Sequence, residues 1–239
     1  MVDVVIDIGN TRIKAALFEN GVIHESHFFE HDAPDFELFC KKHRSSNGII
    51  SSVSAQTTSV SALAHLTHFH RFSHQSKLPF TNKYETPETL GPDRLAVVAG
   101  AKSFFSDVPL LCIDAGSCIT YDILNADNEY LGGAISPGLM MRYQALHTFT
   151  GKLPLVEHTD FNALTGQNTQ QSILAGVQNG ILGEVEQMVE QYEKQYPRLQ
   201  VTLSGGDTAF FEKRLKCNIF AHPELVIKGL YHILKLNEA

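Results

Sequence analysis

Apolar and polar positions along this chain fall into two periods. Short apolar runs closed by glycine, asparagine or aspartate read as buried strands, and longer stretches with apolar spacing near 3.6 read as helices. The first ~30 residues predict three strands, with turns at Gly9-Asn10 and Glu19-Asn20-Gly21. A mixed helical segment follows over 35–43, then a buried strand over 48–53. Residues 54–68 are small and polar enough for a helix with loops, and 78–89, with two prolines, read as irregular. Residues 90–105 predict a helix, with Gly91 as N-cap and Pro92 at its first position. The same order then repeats: strands over 109–114, 119–124 and 130–135, a helix from Pro137-Gly138 to about 149, and a long amphipathic helix over 170–196. A strand over 201–203 and helices over 208–215 and 224–236 close the chain. Strands alternating with helices predict an α/β fold.

Two of these strands end alike. Val4-Val5-Ile6-Asp7-Ile8-Gly9-Asn10-Thr11 and Leu110-Leu111-Cys112-Ile113-Asp114-Ala115-Gly116-Ser117 both close on Asp-x-Gly and a small polar residue, and a second strand follows each. One such turn is ordinary. Two in matching contexts predict related half-domains that grip one nucleotide from both sides. Free N–H groups and small hydroxyls in such turns cradle phosphate oxygens, and an aspartate at the strand end can face a metal ion or its water shell. A third glycine signal, Ser204-Gly205-Gly206-Asp207, predicts close approach by a flat ligand such as a nucleoside.

Composition narrows the class. The chain has 239 residues, enough for one large or two modest domains, and 43% hydrophobic residues, enough for a real core. A net charge of −7 argues against non-specific binding to nucleic acid or anionic membrane. No apolar run approaches the ~20 residues that span a bilayer, and Met1-Val2-Asp3 enters a strand without a basic leader. The four cysteines form no Cys-x-x-Cys pattern, which points to reduced thiols and a cytoplasmic location. A Gly-x-x-x-x-Gly-Lys-[Ser/Thr] loop and a Gly-x-Gly-x-x-Gly fingerprint are both missing, so a P-loop kinase or a dinucleotide enzyme is disfavoured. His65, His68, His70 and His74 fall close together but lack His-Glu-x-x-His or Cys-His spacing, so a polar strand or loop is expected there rather than a zinc site.

Four ordered stretches resemble type III pantothenate kinases, of the superfamily of acetate and sugar kinases, heat-shock ATPases and actin. Asp7-Ile8-Gly9-Asn10-Thr11-Arg12-Ile13-Lys14 is similar to that family's first phosphate loop. Gly91-Pro92-Asp93-Arg94, preceded by Tyr84, is similar to its substrate and catalytic motif. Asp114-Ala115-Gly116-Ser117-Cys118-Ile119-Thr120-Tyr121-Asp122 is similar to its second phosphate loop. Gly132-Gly133-Ala134-Ile135-Ser136-Pro137-Gly138 continues into Leu146-His147 and Lys152-Leu153-Pro154. Ser117 and Cys118 depart from the family's usual threonine and alanine; serine keeps the hydroxyl.

The resemblance implies two related ribonuclease H-like (actin-like ATPase) domains with mixed sheets flanked by helices. We expect the first over 1–106, the second over 107–221, and a C-terminal helix over about 222–239 packing back on the first. It implies ATP-dependent phosphorylation of pantothenate to 4′-phosphopantothenate, the first step of coenzyme A synthesis, by a cytoplasmic homodimer. Another kinase or phosphatase of the superfamily and a non-enzymatic transcription accessory factor are the alternatives.

Asp93 is expected as the base, in the first turn of its helix, where the helix dipole favours an ionised carboxylate. Arg94 suits the pantothenate carboxylate as a bidentate partner. Tyr84, Gly91, Pro92 and Thr169 complete the substrate set, although Asn168 or Thr169 would also cap the following helix. Asp7, Ile8, Gly9, Asn10, Thr11, Arg12, Ile13, Lys14 and Ser117 are the expected ATP contacts, with Asp7 serving Mg²⁺ through water. Lys14 could equally be an outward-facing strand residue. Asp114 matches the family's monovalent-cation ligand, for K⁺ or NH₄⁺; by local chemistry it could be a second Mg²⁺ residue.

Overall fold

The computed structural model describes residues 2–31, 33–44, 46–52, 60–66 and 68–238. They divide into two compact units. The first comprises 1–106, 128–131 and 224–239; the second comprises 107–127 and 132–223.

The first unit is built on β1 (Val2–Ile8), β2 (Ile13–Glu19), β3 (Val22–Phe29), α1 (Pro34–Lys42), β4 (Asn47–Ser52), α2 (Val60–Leu63), β5 (Phe69–Arg71), β6 (Thr81–Asn82) and α3 (Pro92–Lys102). The sheet order is β3-β2-β1-β4-β5. β1 and β2 are antiparallel across the Asp7–Thr11 turn, and β1, β4 and β5 run parallel. Asn20 and Gly21 join β2 to β3 with φ of 51° and 82°, the left-handed pair that matches strand twist in a two-residue hairpin. One face of the sheet buries Val4, Ile6, Ile8, Ile13, Ala15, Leu17 and Ile50 with Phe36, Phe39 and Cys40 of α1.

The second unit repeats this plan. It contains β7 (Leu110–Ala115), β8 (Cys118–Leu124), β9 (Glu129–Pro137), α4 (Leu139–Thr148), α5 (Thr169–Gln195), β10 (Gln200–Ser204), α6 (Thr208–Glu212) and β11 (Phe220–Ala221). The sheet runs β11-β10-β7-β8-β9-β6, and its first five strands keep the order of the first sheet with each strand replaced by its counterpart. β7 and β8 form the antiparallel hairpin, and β7, β10 and β11 run parallel. Leu111, Ile113, Ile119 and Tyr121 meet Leu139, Tyr143, Ile173, Val177, Ile181 and Val185 in its core. The first residues of β9 lie in the first unit, where Glu129 and Tyr130 pair with Thr81 and Asn82 of β6.

α7 (Leu225–Asn237) packs on β1, β4 and α3 in the first unit. The two helices are held close by small residues. A Cβ on Gly229 would strike the carbonyl of Ala96, and one on Gly100 would strike that of Leu225. α3 is buried from Arg94 to Ala101, because α7 and the sheet both cover it.

Several elements differ from the sequence expectation. β5, β6 and β11 are strands of three, two and two residues, too short to carry a period. The helices expected over 90–105 and 208–215 are shorter, at Pro92–Lys102 and Thr208–Glu212. Much of the segment expected as helix with loops over 54–68 lies outside the described residues.

Candidate active site

In the first unit, alternation along β1 sends Ile6 and Ile8 into the core and leaves Asp7 on the opposite face. Its Oδ1 is buried and, among the described residues, has no hydrogen-bond partner. Burial, then the charge of Asp93, pushes its carboxyl up to about 7; the nearby Ser51 hydroxyl and the charge of Lys14 oppose this. A buried oxygen without a partner, beside a second carboxylate, is a donor arrangement that fits a hard cation.

The turn after β1 is closed by Gly9 N–H donating to the Arg12 carbonyl at 3.2 Å. Asn10, Thr11 and Arg12 are exposed there. Ile8 and Ile13 are core residues, at 2% and 0% exposure, so only their main chain is available to a ligand. Lys14 lies opposite Asp7 on one side and Phe28 on the other in the strand register. Its Nζ is 4.0 Å from Glu224 Oε1 and 5.5 Å from the Phe28 ring centroid, and the Arg12 guanidinium is 5.1 Å from that same centroid. Neither Phe28 nor Glu224 carries a sequence signal of its own. They become visible only through strand pairing and the return of the C-terminal helix.

Gly91 is the N-cap of α3 and Pro92 opens it. Asp93 follows in the first turn, where its Oδ1 accepts the Arg94 N–H at 2.9 Å. The helix start alone would favour the ionised carboxylate. Burial outweighs it and raises the Asp93 carboxyl above the usual range, offset in part by the Arg94 N–H and charge. This corrects the sequence expectation in a useful direction, since a carboxylate with a raised pKa is a stronger proton acceptor. Arg94 is only 6% exposed. Its guanidinium lies 5.8 Å from the Tyr84 ring centroid, and the Tyr84 N–H donates to Asn82 Oδ1 at 2.9 Å. The first unit therefore groups Asp7 with Asp93, and Arg94 with Tyr84.

In the second unit, the β7–β8 hairpin places Asp114 opposite Thr120, with a buried Oδ1. Ser117 is exposed at the tip, and Gly116 N–H donates to the Cys118 carbonyl at 2.9 Å. Two main-chain contacts brace the turn. Gly138 N–H donates to the Ser117 carbonyl at 3.1 Å, and Asp207 N–H to the Ala115 carbonyl at 2.9 Å. A Cβ on Gly138 would collide with the Gly116 and Ser117 carbonyls. Gly205 has φ of 97°, and a Cβ there would meet the Ala115 backbone. Its missing side chain thus serves packing of β10 on β7.

Thr169 is exposed at the start of α5. Asn168 is the cap: its Oδ1 accepts the Gln171 N–H at 2.9 Å, so the Thr169 hydroxyl is not needed for that task. Sequence reasoning missed Glu184, which binds Tyr121, Ser136 and Arg142 together. In the histidine-rich stretch, His70 pairs with Ser76 Oγ at 2.8 Å, and no metal-competent group of three or more His, Cys, Asp or Glu occurs among the described residues.

The chain matches the family model for type III pantothenate kinase over residues 4–191. A type III pantothenate kinase from Flavobacterium johnsoniae is 39% identical over 94% of each chain. Among solved structures, a conserved Campylobacter jejuni protein given the designation Baf family transcriptional activator has a TM-score of 0.60 at 21% identity, covering 98% of each chain. The inorganic polyphosphate/ATP-glucomannokinase of an Arthrobacter strain has a TM-score of 0.54 at 12% identity, covering 99% of each. At such identities these two structures speak to the fold alone, which is that of actin-like ATPases and sugar kinases. With the paired hairpins, the Gly-Pro-Asp-Arg helix start and a near-full-length relative in agreement, the chain belongs to the type III pantothenate kinase family.

Proposed function

We infer that this protein transfers the γ-phosphoryl group of ATP to the primary hydroxyl of pantothenate, giving 4′-phosphopantothenate for coenzyme A synthesis. Family membership supports the reaction. The observation that carries the chemistry is Asp93, a half-buried carboxylate with raised basicity at the start of α3, beside Asp7.

Phosphoryl transfer asks the protein mainly for placement and charge compensation. Asp93 accepts the proton of the attacking hydroxyl. Arg94, steadied against Tyr84, holds the pantothenate carboxylate; Gly91 and Pro92 shape that loop, and Thr169 offers a hydroxyl to the substrate. The main chain of 8–13 with Asn10, Thr11, Arg12 and Lys14, and Ser117 of the second hairpin, take the phosphates. Asp7 suits Mg²⁺, held through water; bound, the ion neutralises phosphate charge. Asp114, with a buried carboxylate oxygen, suits K⁺ or NH₄⁺.

Two further readings belong here. A second copy of the chain is the expected partner, on the family resemblance; Ile135, Met140, Met141, Phe149, Leu155 and Leu164 of the second unit are among the exposed large apolar residues. A cytoplasmic site is consistent with four free cysteines. Among the described residues no helix is long and apolar enough to cross a membrane.

The test is ADP release from purified protein with MgATP, comparing pantothenate with a panel of sugars and acetate. Release that depends on pantothenate supports the reading. Release with a sugar or acetate and none with pantothenate would place the chemistry elsewhere in the superfamily, and no release with any acceptor would favour the accessory-factor alternative.

A further inference from the structure

Glu184 sits in the middle of α5 and gathers three side chains that are 63, 48 and 42 residues away in sequence. Its Oε1 accepts from Tyr121 Oη of β8 at 3.1 Å and from Ser136 Oγ of β9 at 2.5 Å. Its Oε2 accepts from Arg142 Nη2 of α4 at 2.5 Å. Burial works against the charge on Glu184, but the bonds from Ser136 and Arg142 prevail and hold its carboxyl below the usual range, so it is ionised at neutral pH.

From this carboxylate a continuous run of bonds leads to the second hairpin. Arg142 Nε donates to the Pro137 carbonyl at 2.9 Å, and the Arg142 N–H donates to the Gly138 carbonyl at 3.1 Å. Gly138 N–H in turn donates to the Ser117 carbonyl at 3.1 Å. Glu184 thus fixes both ends of the Ser136–Arg142 turn, and that turn abuts the backbone of Gly116 and Ser117 with no room for a Cβ. An ordinary ion pair between α4 and α5 would need only the Arg142 contact. The added bonds to Tyr121 and Ser136 tie it to β8, which leaves the hairpin turn, and to its sheet neighbour β9.

We propose that Glu184 is a positioning residue for nucleotide binding: through Ser136, Arg142 and Gly138 it sets the backbone at Ser117 that receives the phosphates. This rests on the reading of the Ser117 hairpin as a phosphate grip, and not on the identity of the phosphoryl acceptor.

The test compares Glu184→Ala and Glu184→Gln with wild type by three readouts: ADP affinity without pantothenate, the KM values for ATP and pantothenate, and the melting temperature. Glu184→Ala is expected to weaken ADP binding and raise the KM for ATP about tenfold, the scale on which loss of a supporting outer hydrogen-bond partner weakens a binding contact, with the KM for pantothenate changed less than about twofold. Glu184→Gln, which keeps acceptor capacity but loses the charge, falls between. A folded Glu184→Ala protein with wild-type ADP affinity would overturn the proposal and leave Glu184 a stabilising contact only. Equal loss toward ATP and pantothenate would overturn it too. If Glu184→Ala does not fold, Glu184→Gln decides: weakened ADP binding supports the proposal, and unchanged binding rejects it. The ADP arm needs no acceptor, so it stays readable even if pantothenate is not the substrate.

Discussion

In the proposed reaction the chemistry turns on Asp93 and Asp7, and burial acts on both. For Asp93, Asn substitution keeps the shape and removes proton acceptance. Asp93→Asn is expected to lower kcat by about 10²–10⁴, to leave pantothenate affinity largely intact, and to leave the melting temperature little changed, as read by steady-state kinetics, titration and thermal denaturation. Activity within about threefold of wild type would return Asp93 to the role of a helix-start residue. Asp7 adds a stability effect. A carboxyl raised from 3.8 to about 7 on folding contributes stability that is complete below pH 3.8 and lost as pH rises through about 7. Without a bound cation the ionised form is therefore a burden at pH 8, with ~4 kcal/mol as an upper bound. Asp7→Asn should abolish phosphoryl transfer yet raise the melting temperature of metal-free protein at pH 8. That gain should shrink toward acid pH; a lower melting temperature at pH 8 would contradict it.

Among the elements, the contact between α3 and α7 holds the helix that presents Asp93. Gly229 lies against the Ala96 carbonyl, a backbone neighbour that cannot swing aside. Gly229→Val should destabilise by about 1–3 kcal/mol or more and lower kcat through the start of α3. Gly180 of α5 has nothing within 4 Å of an added Cβ, so Gly180→Ala should stabilise by roughly 0.5–1 kcal/mol. Thermal melts of the pair check this contrast. The same scale explains what the sequence made legible. Both hairpins were readable because each is local: an apolar run, Asp-x-Gly and a return strand within a few residues. The shared sheet order of the two units follows from that repeat. β5, β6 and β11 escaped because two or three residues carry no period. The raised basicity of Asp93 escaped because it comes from the residues that bury it. Glu184 escaped because its partners lie on three other elements, and the packing of Gly205 on Ala115 escaped because β7 is far from it in sequence.

For the whole molecule, charge sets a further condition. The chain carries a net −7 and must bind a polyanionic nucleotide. A large, weakly hydrated cation at Asp114 would exchange water for carboxylate, carbonyl and phosphate oxygens more readily than Na⁺. Rates in K⁺ or NH₄⁺ should therefore exceed those in Na⁺ at equal ionic strength, and Asp114→Asn should blunt the preference. Identical rates in dialysed protein would return Asp114 to the Mg²⁺ alternative. The central claim is the acceptor. The most direct measurement is the mass of the product formed from MgATP and pantothenate by purified protein, with Asp93→Asn run alongside. The expected result is 4′-phosphopantothenate from the wild type, in step with ADP, and little from the variant. Unmodified pantothenate after wild-type incubation, with ATP turned over only when a different acceptor is supplied, would contradict it.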